Sequence, residues 1–97
     1  MTLHPGSRVQ ATRRQVNCEV GGEAVILHLD DGVYYGLNEV GARVWQLVQE
    51  PRALGEIVDA IVAEYDVERE RCQNDVVDLV GELIERKLVL VRDEPAR

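Results

Sequence analysis

The side chains that most often carry out catalysis or bind metal ions are few and widely spaced in this sequence. There are two cysteines, Cys18 and Cys72, and two histidines, His4 and His28, so neither a Cys-x-x-Cys motif nor a close histidine pair is present to hold zinc. The only serine, Ser7, lies in an N-terminal segment without periodicity. We therefore expect no enzymatic activity, no metal and no cofactor, and two cysteines that act as small buried apolar residues.

The charge balance argues against binding to nucleic acids or to anionic membranes. Acidic residues outnumber basic ones by 18 to 11, which gives the 97-residue chain a formal net charge of −7 and a surface that repels phosphate groups. No apolar run approaches the roughly 20 residues that a membrane-spanning helix needs, and no signal-peptide stretch begins the chain. We expect a cytoplasmic protein with one domain and one core.

The first half of the sequence alternates apolar and polar residues with a period of two. Three such runs, Val16–Val20, Ala24–Leu29 and Val33–Leu37, are separated by Gly21-Gly22 and by Asp30-Asp31-Gly32. Both separators are typical tight-turn sequences, because glycine adopts positive φ without strain. The pattern predicts a three-stranded antiparallel β-meander.

The second half changes to a period of 3.6, which is typical of amphipathic helices. Asn38 is predicted to cap a first helix and Pro51 to end it, a second helix starts near Leu54, and Asp66 is predicted to cap a third. Residues 88–91 are expected to be a short extended segment. The apolar stripe of the third helix is Cys72, Val76, Leu79, Val80 and Leu83, widened by Val77 and Ile84.

These elements predict an α+β, winged helix-turn-helix-like fold in which the three-stranded antiparallel β-meander is followed by three α-helices. Residues 1–14 lack periodicity and are expected to form a loose N-terminal tail, with the domain spanning residues 15–92.

The third predicted strand, Val33–Leu37, is the candidate functional element. It lies at the edge of the meander and contains no lysine, proline or inward charge to protect that edge. It is therefore a template on which an extended peptide adds as a strand, with the wide stripe of the third helix as a second wall. One tyrosine ring of the Tyr34-Tyr35 pair is expected in the core and the other at the surface.

The run from Leu29 to Trp45, LDDGVYYGLNEVGARVW, resembles the PqqD-like domain, the precursor recognition element of ribosomally synthesised and post-translationally modified peptides. A second helix beginning LGEIV and a third ending LIERKLV complete the resemblance, which covers roughly residues 16–91. The size and layout are most similar to the stand-alone leader-binding B proteins of lasso peptide gene clusters.

This resemblance implies that the chain binds the leader segment of a precursor peptide and delivers it to a separate cysteine-type leader peptidase and an ATP-dependent macrolactam synthetase. Asp75 or Glu68 would pair with a basic leader residue, or would belong to a solvated acidic face. The implied contact residues are Val33, Tyr34, Tyr35, Gly36 and Leu37 on the strand, and Cys72, Val76, Leu79, Val80 and Leu83 on the helix.

Other functions stay open at this point. The chain could be a PqqD-type peptide chaperone for another modifying enzyme, a winged-helix DNA-binding regulator or a structural subunit. The arginines of the third helix alternate with acidic residues, which disfavours binding to DNA. The edge of the third strand could also be covered by the N-terminal tail or by a second copy of the chain.

Overall fold

The computed structural model describes residues 3, 5–13, 15–30 and 32–92. Along these residues the chain forms six strands and three helices. In chain order they are β1 (Arg8–Ala11), β2 (Gln15–Val20), β3 (Glu23–His28), β4 (Tyr34–Leu37), α1 (Glu39–Leu47), β5 (Arg52–Ala53), α2 (Leu54–Glu64), α3 (Arg69–Glu85) and β6 (Val89–Val91).

The predicted meander is confirmed as an antiparallel sheet with the order β2-β3-β4. Gly21 and Gly22 join β2 to β3 with φ angles of 61° and 82°, so the turn uses the left-handed conformation that glycine adopts without strain. Gly32, with φ at 70°, lies in the second predicted turn, where Asp31 is outside the described residues. Both reversals are therefore specified locally, by glycine at the position of positive φ.

The first helix begins as predicted, and the third begins later than predicted. The Asn38 side chain accepts a hydrogen bond from the Gly41 N–H at 2.8 Å and caps α1. Asp66 does not cap α3: the segment after α2 stays extended to Glu68, whose carbonyl accepts the first helical bond from Cys72 at 2.9 Å. The residue directly before α3 is therefore Glu68, two positions beyond the predicted cap.

The prediction of a loose tail over residues 1–14 is wrong for Arg8–Ala11. These residues form β1, the central strand of a second antiparallel sheet with the order β5-β1-β6. Val9 is fully buried in the core, and the Ala11 N–H donates to the Val48 carbonyl at 2.7 Å. The apolar–polar pattern did not predict β1, because Val9 is the one strongly apolar residue among Arg8–Ala11. The residues that pair with β1 also lie more than 40 positions away along the chain.

The core lies between the inner face of the meander and the three helices. Ala24 and Ile26 of β3 point into it, as does Trp45 of α1. Ile57 from α2 and Val80 from α3 are also almost completely buried. Because alternate residues of a strand point to opposite faces, the other residues of the meander are left on its outer face.

Val9→Ala is expected to lower the free energy of unfolding by about 1–3 kcal/mol, because it leaves a cavity where a buried valine side chain packs. The matched control is Val16→Ala at a valine that is 55% exposed, where a change within about 0.5 kcal/mol is expected. Urea denaturation followed by circular dichroism measures both. Equally small changes in the free energy of unfolding for the two variants would mean that the N-terminal segment is not packed against the core.

Candidate functional site

The open edge of β4 is the first component of the site. Within the described residues β4 pairs only with β3. The His28 N–H donates to the Val33 carbonyl at 3.1 Å, and bonded pairs alternate along an antiparallel ladder, so Tyr35 is the next residue bonded to β3. The N–H and C=O groups of Tyr34 and Gly36 therefore point away from the sheet, towards the open edge.

The two tyrosines of β4 project to opposite faces, as predicted. Tyr34 is 69% exposed on the outer face, whereas Tyr35 is half-buried and points towards α3. The Tyr35 hydroxyl donates a hydrogen bond to the Glu82 carboxylate, and the Arg86 guanidinium lies 5.2 Å from the ring centroid. Burial, with the Glu82 contact, raises the pKa of Tyr35 to about 12, so the side chain is a neutral bridge between β4 and α3.

Beside the open edge lies a cavity of about 790 Å³, here called the groove. Its walls come from β4, from α1, from one residue of α2, and from the segment that enters α3 and the first half of that helix. The lining residues are Tyr35, Gly36, Leu37, Asn38, Val40, Gly41, Val44, Ile61, Asp66, Val67, Glu68, Arg71, Cys72, Asp75, Val76 and Leu79.

Most of the residues expected at the site meet in the groove. Leu37 reaches it from β4, beside Tyr35 and Gly36, and α3 contributes the three positions predicted nearest its start. These three positions, Cys72, Val76 and Leu79, share one helical face because they are separated by three or four residues. Leu79 is half-buried and Val76 is almost completely buried, so Leu79 forms the accessible apolar wall and Val76 the floor.

Four expected residues are placed elsewhere. Val80 and Leu83 are fully buried in the core and do not line the groove, because the rotation of α3 turns this pair towards the sheet and the other helices. Tyr34 points to the outer face, and Val33 lies beyond Tyr35, against a smaller cavity. Only the backbone of Tyr34 therefore faces the edge at which the groove opens.

The start of α1 is a wall that the sequence interpretation missed. Val40, Gly41 and Val44 line the groove opposite α3. An available signal was the Asn38 cap, which begins a helix directly after β4 and so must place the first turn of that helix beside the end of the strand.

The rim of the groove is acidic. Asp66, Glu68 and Asp75 lie along it, and among the described residues that line the groove Arg71 is the single cation. Arg69 turns away from the groove and forms an ion pair with Asp59 at 2.8 Å. A basic group on a ligand would therefore meet more negative than positive charge at this rim.

Cys72 lies in the groove but is unsuited to nucleophilic chemistry. The side chain is buried, and burial, reinforced by the charge of Asp75, raises the pKa of its thiol against the weaker effect of Arg69. Cys18, by contrast, is exposed on β2, which corrects the expectation that both cysteines are buried. His28 is buried, and its Nδ1 accepts a hydrogen bond from the Asp30 N–H at 3.2 Å.

The outer face of the meander is apolar and exposed. It presents Val16, Cys18, Val25 and Tyr34, with Leu27 half-buried between them. We call these five residues the outer face. An exposed apolar sheet face of this kind is typical of a surface that contacts another protein.

A family model described as "Coenzyme PQQ synthesis protein D (PqqD)" matches residues 23–89. The match runs from β3 to β6, and so includes β4, all three helices and the whole groove. The chain belongs to the PqqD family. No curated protein sequence matches the chain.

Two solved structures share this PqqD fold. "TbiB1 in Complex with the TbiA(beta) Leader Peptide" is 36% identical, covers 90% of this chain and 99% of its own, and superposes with a TM-score of 0.76. "Lasso peptide synthetase B1 complexed with the leader peptide" is 23% identical, covers 84% of this chain and 96% of its own, and has a TM-score of 0.74, which shows the likeness of fold alone.

Among the described residues, no group of three or more histidine, cysteine, aspartate or glutamate side chains is arranged to hold a metal ion. None of the described helices is both long enough and apolar enough to cross a membrane.

The two thiols are expected to react at very different rates with Ellman's reagent at pH 8. Cys18 is exposed, whereas Cys72 is buried and has a raised pKa, so Cys72 is expected to react roughly tenfold or more slowly. Cys72→Ser should leave only the fast phase and Cys18→Ser only the slow one. Equal rates would contradict the burial of Cys72 in the wall of the groove.

Proposed function

We propose that this protein binds the leader segment of a ribosomally synthesised precursor peptide by adding it as a strand to β4. The observation that carries this proposal is the open backbone row at Tyr34 and Gly36, directly beside the groove. Main-chain hydrogen bonds to that row would set the register, and apolar leader side chains in the groove would supply specificity. The 36% identity to TbiB1, which was solved with a leader peptide, supports the same conclusion.

The pathway that this function serves is lasso peptide biosynthesis. Both structural neighbours were solved with leader peptides, and one of them is named "Lasso peptide synthetase B1". In this role the chain delivers the bound precursor to a separate cysteine-type leader peptidase and an ATP-dependent macrolactam synthetase. The recognition domain in this proposal includes β1 as well as residues 15–92, because β1 pairs with β5 and β6 and its Val9 packs in the core.

The outer face supports a stable protein partner in addition to the peptide. It lies on the side of the meander opposite the core, so a bound leader in the groove leaves it accessible. A strand added at β4 would extend this face by one strand, because alternate residues of the added strand point outwards. We assign the outer face to the leader peptidase, which would then sense whether a leader is bound.

The chain performs no bond-breaking step itself in this proposal, and it needs no cofactor. The groove thiol has a raised pKa, and the Nδ1 of His28 is occupied by the Asp30 amide. Catalysis is left to the peptidase and the synthetase, in the cytoplasm where ribosomes make the precursor.

A second candidate function is favoured by the family match itself, which is described as a coenzyme PQQ synthesis protein. The same edge and groove would then present a precursor to a different modifying enzyme. Titration with leaders from both kinds of gene cluster separates the two candidates. A DNA-binding role is opposed by the acidic rim that Asp66, Glu68 and Asp75 form along the start of α3.

Tyr34→Pro is expected to weaken leader binding at least tenfold (about 1.4 kcal/mol), because it removes an outward N–H from the open edge. Proline at an edge position whose N–H faces solvent is tolerated by a sheet, so the circular dichroism spectrum should be retained. Tyr34→Val is the matched control, since it keeps the N–H and replaces the ring with a β-branched side chain that suits a strand. Fluorescence polarisation with synthetic leaders from neighbouring precursor genes provides the measurement, and wild-type affinity in Tyr34→Pro would exclude strand addition here.

Leu79→Asp is expected to weaken leader binding by more than about 1 kcal/mol, because it places a charge on the apolar wall of the groove. Gln73→Asp adds the same charge to α3 at an exposed position that does not line the groove, and should leave the affinity almost unchanged. Isothermal titration calorimetry compares the two after their folding has been checked. Equal losses would indicate a general charge effect and not contact in the groove.

A further inference from the structure

The second sheet carries a positively charged surface, although the chain as a whole has a formal net charge of −7. Arg8 and Arg92 lie at one end of the pair of strands β1 and β6, and both are exposed. The Arg92 N–H donates to the Arg8 carbonyl at 2.6 Å, so the two arginines stand directly opposite each other. Opposite residues of an antiparallel pair project to the same face, so both guanidinium groups extend from one face of this sheet.

A second pair of cations lies at the other end of these two strands. The Thr12 N–H donates to the Leu88 carbonyl at 2.9 Å, and the Thr12 hydroxyl donates to the Lys87 carbonyl at 3.1 Å. Arg13 and Lys87 are the next residues outwards, so they lie side by side, and both are exposed. Arg8 and Arg13 are five positions apart. At about 3.4 Å per residue of an antiparallel strand, the two cationic pairs are therefore at most about 17 Å apart.

An apolar side chain lies between the two cationic pairs. Gln10 and Leu90 are opposite each other in the middle of the strands, and Leu90 is 50% exposed. Val9 and Val89 alternate with them and are buried in the core, so Gln10 and Leu90 are on the outward face together with the two arginines of the first pair. We call the six residues of this region the basic surface: Arg8, Gln10, Arg13, Lys87, Leu90 and Arg92.

The charge of the basic surface is available to a partner. Arg43 of α1 and Arg69 of α3 each form an ion pair with a carboxylate of α2, at 2.8 Å in both cases. Within the part of the chain that the structure describes, Arg13, Lys87 and Arg92 form no such ion pair. The fold therefore uses cations of the helices to join its own elements and leaves these three to the solvent or to another molecule.

The size and composition of the basic surface fit an acidic segment of a protein. A long polyanion such as nucleic acid would extend beyond these residues and meet the repulsion of a chain with a net charge of −7. A short acidic segment needs to span only the distance between the two cationic pairs. The exposed leucine beside arginines also suits a protein partner, because protein interfaces combine an apolar centre with an enrichment in arginine.

We propose that the basic surface is a docking site for an acidic segment of a partner protein. Carboxylates towards the two ends of that segment pair with the two cationic pairs, and an apolar side chain between them packs on Leu90. This site goes beyond leader binding, because none of its residues belongs to β4 or lines the groove. A segment held here leaves the open edge of β4 to the leader.

Two synthetic peptides of the same composition test the spacing of the charges. The first, Ser-Glu-Glu-Ser-Leu-Ser-Glu-Glu-Ser, carries two glutamate pairs five positions apart with leucine midway, and the second, Ser-Leu-Ser-Glu-Glu-Glu-Glu-Ser-Ser, carries the glutamates together. Each is titrated into the full chain at low ionic strength, where exposed charges are least screened, and amide chemical shifts are followed by nuclear magnetic resonance. We expect the first peptide to bind more tightly and to shift the amides of Gln10, Leu90 and Arg92.

Arg92→Gln is expected to weaken binding of the first peptide about two- to fivefold, because it removes an exposed charge that pairs with a carboxylate. Gln73→Glu is the matched control. It lowers the net charge by the same single unit at an exposed position of α3 outside the basic surface, and should keep the affinity within about twofold of the wild-type value.

Three results would overturn the docking site, and none of them bears on strand addition at β4. Equal affinities of the two peptides, or equal losses in Arg92→Gln and Gln73→Glu, would indicate a general charge effect. Shifts that avoid β1 and β6, or no shifts at all, would place no acidic segment on this surface. Tighter binding of a single-stranded 12-nucleotide DNA than of the first peptide, with shifts at the same amides, would assign the surface to nucleic acid instead of protein.

Discussion

The site depends on one row of backbone groups that no neighbouring strand pairs with in the part of the chain that the structure describes. The N–H and C=O groups of Tyr34 and Gly36 face the open side of β4, where they must bond either to water or to another chain. Natural sheets usually protect such an edge with lysine, proline or a bulge, and β4 has none of these. The other elements of the site must therefore leave these outward N–H and C=O groups accessible to a partner.

The neighbouring elements keep this edge accessible and give it a shape. The N-terminal segment could have covered the edge of β4, but its strand β1 pairs with β5 and β6 instead. The Asn38 cap begins α1 directly after β4, which limits the length of the strand and makes the first turn of that helix one wall of the groove. The long α3 forms the opposite wall, and the Tyr35 bridge to Glu82 and Arg86 fixes its distance from the strand.

Features specified by local chemistry could be predicted from the sequence, whereas those that depend on distant contacts could not. The meander followed from alternation and from Gly21-Gly22, because positive φ at both positions is a local demand. The rotation of α3 did not follow, because its apolar stripe is wide enough to cover two faces, and only packing decides that Val80 and Leu83 are core while Leu79 faces the groove. β1 was missed for a related reason: its stability comes from long-range pairing around one buried valine.

Amide hydrogen exchange at Tyr34 and Gly36, measured by nuclear magnetic resonance with and without a bound leader peptide, tests the central claim most directly. Strand addition predicts that exchange at these two amides slows strongly on binding. The Tyr35 amide, already bonded to β3, should change little and so serves as an internal reference. Unchanged exchange at Tyr34 and Gly36 in a saturated complex would show that the leader binds without pairing to β4, and would contradict the account.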